Sequence, residues 1–228
     1  MNRWKASGLH LALSILVVGG IALTALFTWF PHGLYRVANL DRLLIIMLGI
    51  DLTMGPLLTL LVYKPAKPSL KFDLTFIAVC QMAFLMYGLY TLWGGRPVFL
   101  VASDVRMTLV FANEISEGDL KAAPRPEWRR LSWTGPVRVG VETPHDPKEK
   151  QALLATFLER GVDVESLPRY YVDYSQITPR MLSESVPDAD GPSRRGESFR
   201  KVPLLSRYGE AWMRVDAETG APIEVTGN

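Results

Sequence analysis

Residues 43–63 are an uncharged run broken only by Asp51, which stands near the middle. About twenty apolar residues cross the hydrocarbon core of a bilayer. A carboxylate inside such a span costs roughly 2.5–3.5 kcal/mol on insertion scales. At about 1.5 Å of rise per residue, Asp51 lies about 12 Å below one end of its helix, too deep for a short side chain to reach water. The acid must therefore find a partner inside the protein, be protonated, or wait for a ligand.

Two further apolar runs, 7–30 and 72–93, frame this one. Arg3 and Lys5 precede the first, as in a signal peptide, but its apolar stretch exceeds the usual h-region and no small-x-small cleavage site follows. The run reads as a retained anchor. Basic residues set the orientation: Arg3, Lys5, Lys64, Lys67 and Lys71 lie on one side, against Arg36, Arg42 and Arg96 on the other. The N-terminus is expected in the cytoplasm and everything after about Gly94 outside it. Trp29, Phe30, Tyr35, Tyr90 and Trp93 fall where an outer aromatic belt belongs.

These features define the expected fold class: three transmembrane helices over 1–96, then a C-terminal extracytoplasmic α+β domain over 97–228. The net charge of +2 and the lack of a basic run point away from nucleic acid. Cys80, the single cysteine, falls in the third span, so the tail has no disulfide framework. Its stability must come from its own core, for which about 130 residues suffice.

In that tail, 97–102 and 107–112 read as strands around Ser103-Asp104, and 137–141 as a half-buried strand. Asp146 followed by Pro147 predicts a helix start. Leu153, Leu154, Phe157 and Leu158 share one face of that helix, and Gly161 ends it. Residues 170–174 read as a strand and 175–185 as a short helix with Pro179 near its first turn. The polar stretch 188–198 suggests a mobile loop. Three further strands follow, the last two joined as a hairpin through Ala217-Glu218-Thr219-Gly220.

Nothing in the tail carries recognisable chemistry. His145 has no histidine neighbour there, so no zinc set is predicted. No nucleophile elbow, phosphate loop or dinucleotide fingerprint occurs. The chain does not read as an enzyme, and no cofactor or metal is expected.

The membrane part is more specific. Asp51, Gly55 and Thr59 recur every fourth residue and share one helix face. Pro56 lacks an amide hydrogen, so the carbonyl of Leu52 loses its usual partner and the helix should open beside the acid. Gly19, Gly20 and Ala22 of the first span match that depth, and small residues let helices approach closely. Gln81 of the third span lies within about a turn of it. The plainer reading is tight packing, with Asp51 bonded to Gln81 or a freed backbone group. The functional one is a pocket for a group from another membrane helix, with Asp51, Gly55, Pro56, Gly20 and Gln81 as partner-binding residues. His10, near the opposite end of its span, reads as an interfacial histidine bonded to a neighbour.

The opening Arg3-Trp4-Lys5-Ala6-Ser7-Gly8-Leu9-His10, then Gly49-Ile50-Asp51 and Gly55-Pro56-Leu57-Leu58-Thr59-Leu60, occur together with Val62-Tyr63-Lys64-Pro65 and Leu70-Lys71-Phe72-Asp73-Leu74. In this combination, with Tyr87-Gly88-Leu89-Tyr90, the chain resembles the TfpX/TfpZ-type type IV pilin accessory proteins. Downstream the likeness is looser, carried by Ala112-Asn113-Glu114-Ile115 and the final hairpin. The resemblance implies a bacterial inner-membrane, chaperone-like protein that serves a type IV major pilin in pilus assembly or retraction. It supplies no active site. The alternative is a membrane-anchored ligand-sensing or enzyme-like protein whose periplasmic domain binds a small molecule. A deep polar pocket would favour the alternative, whereas an exposed apolar patch or a free strand edge would favour partner binding. Oligomeric state is not legible.

Overall fold

Three helices are long and apolar enough to cross a membrane: Arg3–Trp29, Leu40–Val62 and Leu70–Gly94. A computed structural model describes residues 2–188 and 198–227. The chain divides into two compact units, Met1–Phe27 with Leu40–Gly94 and Thr28–Asn39 with Gly95–Asn228. The stretch 188–198, expected to be a mobile loop, falls outside the described residues except at its two ends.

The first unit consists of helices and their short connections. Helix α1 (Arg3–Trp29) is followed by α2 (Leu40–Gly49), a π-type turn (Ile50–Met54) and α3 (Gly55–Val62), which together make the second long helix; α4 (Leu70–Gly94) is the third. Leu16, Leu61 and Phe76 are largely exposed, as expected of helices that are apolar all round and suited to lipid. In the turn before α4, Lys67 and Ser69 both donate to Asp73, at 2.6 and 3.1 Å.

The second unit is built on one mixed sheet. Its strands are β1 (Pro97–Ala102), β2 (Met107–Phe111), β3 (Val137–Val141), β4 (Tyr171–Val172), β5 (Val186–Pro187), β6 (Phe199–Ser206), β7 (Gly209–Asp216) and β8 (Pro222–Thr226). Their order is β4-β3-β1-β2-β6-β7-β8, with β5 on β6. The pairs β1–β3 and β2–β6 are parallel; the others are antiparallel. Every residue of β1 is buried, as a continuous apolar run with neighbours on both sides requires.

Helices α5 (Glu117–Lys121), α6 (Pro147–Arg160) and α7 (Tyr174–Glu184) complete the second unit. One core cluster joins Val98, Phe99, Val139, Trp128 and Tyr171. The rings of Phe99 and Tyr171 meet edge to face at 5.1 Å. Helix α7 buries Ile177 and Met181. It comes so close to β3 that a Cβ at Gly140 would lie 2.4 Å from Ile177 Cγ1. The strand expected over 170–174 is shorter than its sequence suggests: Asp173 is the N-cap of α7 and Tyr174 already belongs to the helix.

The loop Thr28–Asn39 belongs to this second unit. Phe30, Leu34 and Val37 are buried in it, Leu34 completely. Phe30 therefore packs inside rather than standing in an aromatic belt. Trp29 Nε1 donates to the Trp133 carbonyl at 2.7 Å. His32 Nδ1 and Arg36 Nη1 bond the carbonyls of Ile223 and Val225 in β8, at 2.9 and 3.0 Å. Those carbonyls lie on the outermost strand, where unpaired backbone groups would invite another chain.

Candidate functional site

Asp51 is only 6 % exposed, buried within the first unit. It sits in the π-type turn just before Gly55 and Pro56. Pro56 cannot donate to the Leu52 carbonyl, and an i→i+5 pattern carries the hydrogen bonding past the missing amide. The disturbance expected at Pro56 takes the form of a wider turn: Gly49, Met54 and Gly55 keep helical backbone angles. The Thr53 hydroxyl donates to the Gly49 carbonyl inside the same turn.

Gln81 of α4 reaches this turn. Its Nε2 makes a long 3.4 Å bond to the backbone carbonyl of Asp51, not to the carboxylate. Among the described residues no hydrogen bond ends on the Asp51 carboxylate. The structure thus brings Asp51, Gly55, Pro56 and Gln81 together and leaves the acid without a cation. Gly20 stands apart: it is exposed, and a Cβ there would meet nothing within 4 Å. The depth argument that paired it with Asp51 fixes height along the helix, not which face of α1 turns inward.

The face of α1 that does meet α3 carries Ser7 and His10. Ser7 donates to the Pro56 carbonyl at 2.8 Å, and His10 Nδ1 lies 2.7 Å from the Thr59 hydroxyl. Thr59 is itself buried. The Thr59 partner was readable in principle: His10 lies seven residues after Arg3, and Thr59 five before Lys64, so antiparallel helices place them at similar depth.

In the second unit, α6 has a well-formed start and stop. The Asp146 carboxylate accepts the Glu149 amide, Pro147 opens the helix, and Gly161 closes it with φ of +64°. None of its residues is buried, and Leu154, Phe157 and Leu158 are exposed. Arg160 ties the helix to Asp119 of α5 at 3.1 Å.

No protein-family model matches this chain, and no solved structure does. Relatives do. A "Fimbrial assembly protein, serogroup I" from Dichelobacter nodosus is 27 % identical over 186 residues, 80 % of this chain and 71 % of that one. The serogroup E1 protein of the same organism is 27 % identical over 193 residues, 83 % of this chain and 74 % of its own length. The protein of serogroups C1 and C2 is 32 % identical over 99 residues, which is 76 % of that protein and 42 % of this chain. This chain belongs to the family of fimbrial assembly proteins. An alignment of 186 residues is longer than Met1–Gly94, so the likeness to the longer family members runs beyond the apolar helices into the second unit. The family name describes assembly, not a reaction.

Proposed function

We propose that this fimbrial assembly family member is an inner-membrane accessory factor of type IV pilus biogenesis. Its N-terminus is cytoplasmic and its C-terminal domain periplasmic. It binds a cognate major pilin and supports pilus assembly or retraction through chaperone-like protein contact, without catalysis. Family membership carries this reading, and the motifs around Asp51 and Gly55 supply the type IV assignment by resemblance.

The anatomy supports contact at two levels. A membrane subunit with an apolar helix and a soluble head needs a partner with both spans and an exported domain. The exposed Leu154, Phe157 and Leu158 of α6 offer apolar area outside the spans. Within the spans, Asp51, Gly55, Pro56 and Gln81 form the proposed contact site, with Gly20 as a separate smooth position on α1. An intramembrane acid is a functional candidate by default, and a cationic group on the pilin would supply the missing charge.

The test is Asp51→Asn in cells, which keeps shape and hydrogen bonding but removes the charge. Protein level should hold while crosslinking to pilin and surface piliation both fall. Normal crosslinking at normal abundance would reduce Asp51 to packing.

A further inference from the structure

We infer that the turn 129–135 of the second unit is a membrane-contact element, which sets Trp133 in the bilayer interface and takes anionic phospholipid headgroups on Arg129 and Arg130. The chain passes between the two units at 27–28, 39–40 and 94–95. Two residues beside those passages hold the turn. Trp29, which ends α1, donates from Nε1 to the Trp133 carbonyl at 2.7 Å. Arg96, two residues after α4, donates from Nε to the Ser132 carbonyl at 3.0 Å. Gly135 comes close to the end of α1 as well: its φ is +111°, and a Cβ there would lie 2.6 Å from the Thr28 carbonyl oxygen. Any other residue would be strained on both counts. Helices that cross a bilayer bring Trp29 and Arg96 to its surface, and the turn is bonded to both.

The exposed chemistry of the turn suits that level. Trp128 and Leu131 pack in the core beneath it, whereas Trp133 is 72 % exposed. An indole prefers the membrane–water interface, where its ring is apolar and its surroundings are wet. No acidic residue stands between Glu127 and Glu142, a stretch that holds Arg129, Arg130 and Arg138. Among the described residues none of these three is in an ion pair: Arg129 donates to the Ala123 carbonyl at 2.9 Å, and Arg138 lies over the Tyr174 ring. Three residues of chain reach at most about 10 Å, so Arg130 stays beside Trp133. A guanidinium matches the oxygens of a phosphate, and basic groups beside a span are drawn to anionic lipid. Interfacial indole and uncompensated guanidinium groups together specify an anionic lipid surface. The inference rests on the three helices crossing a bilayer and not on contact with pilin.

Fluorine NMR of the full chain tests it, with fluorotryptophan in place of tryptophan and phosphatidylcholine nanodiscs as host. Single Trp→Phe variants assign the resonances. Phosphatidylcholine carrying a nitroxide near the glycerol end of one acyl chain should broaden Trp133 and Trp93 about threefold more than buried Trp128. The same nitroxide on phosphatidylglycerol, at equal mole fraction, should broaden Trp133 about twofold more than the phosphatidylcholine label does. Arg129→Gln with Arg130→Gln should remove that excess. If the pair fails to fold, Arg130→Gln alone decides, and about half the excess should go. The inference is overturned if Trp133 broadens no more than Trp128 while Trp93 does broaden. It is overturned equally if the phosphatidylglycerol excess is absent or survives the arginine substitutions. Broadening of neither Trp133 nor Trp93 would overturn it together with the membrane reading.

Discussion

The amide of Gln81 fills the space beside Gly55: a Cβ at position 55 would lie 1.9 Å from Gln81 Nε2. Glycine at that position is what lets the third long helix bring its amide to the turn that holds Asp51. The atom in the way is the end of a flexible side chain, so Gly55→Ala should be tolerated with loss of the Gln81–Asp51 contact. Gly55→Leu should lower stability by about 1–3 kcal/mol through overpacking, and adding Gln81→Ala should restore most of it. Thermal melts in detergent check this. A Gly55→Leu melt equal to wild type would contradict the packing.

The loop between the first two long helices should behave as core of the second unit. Leu34 has no exposed surface, whereas Leu158 of α6 is 73 % exposed. Leu34→Ala should therefore cost about 2–5 kcal/mol, while Leu158→Ala should stay within about 0.5 kcal/mol of wild type. Denaturant titration of the second unit's tryptophan fluorescence in the full chain distinguishes them. Equal effects would contradict the burial of this loop.

Asp119 of α5 is tied to α6 through Arg160. Burial alone would raise its carboxyl, but the Ser116 hydroxyl at 2.6 Å and the Arg160 guanidinium at 3.1 Å outweigh burial and hold it below the usual carboxylate range. A carboxyl with a depressed folded-state pKa contributes fully above its unfolded value, near about 3.9, and loses that contribution as pH falls through the lower folded value. Hydrogen-exchange protection of α6, corrected for intrinsic rates, should be steady between about pH 7 and 5 and fall below about pH 4. Asp119→Asn should remove that dependence.

Local signals made much of this fold legible. Asp146, Pro147 and Gly161 set the ends of α6 because caps act within one turn. The spacing of Asp51, Gly55 and Thr59 placed them on one face because helix period is fixed. What the sequence left hidden is long-range. Nothing near Leu34 or Val37 says that they enter a core assembled some sixty residues later. The parallel pairing of β2 with β6 joins Met107 to Leu204, a contact no local pattern encodes. Gly20 shows the same boundary: its depth followed from helix rise, but its outward face follows from Ser7 and His10 turning toward α3. The turn at Trp133 is held by Trp29, 104 positions earlier in the chain, so no motif announces it.

The proposed function requires direct contact between this chain and a fimbrial subunit. Photo-crosslinking in intact cells tests it, from an amino acid with a light-activated side chain at position 154, one turn from Leu158 on the exposed face of α6. An adduct with the major pilin is expected, and Leu158→Lys, stable in its own right, should abolish it together with surface piliation. No pilin adduct at normal protein level with Leu158 intact, together with full piliation in Leu158→Lys, would contradict it.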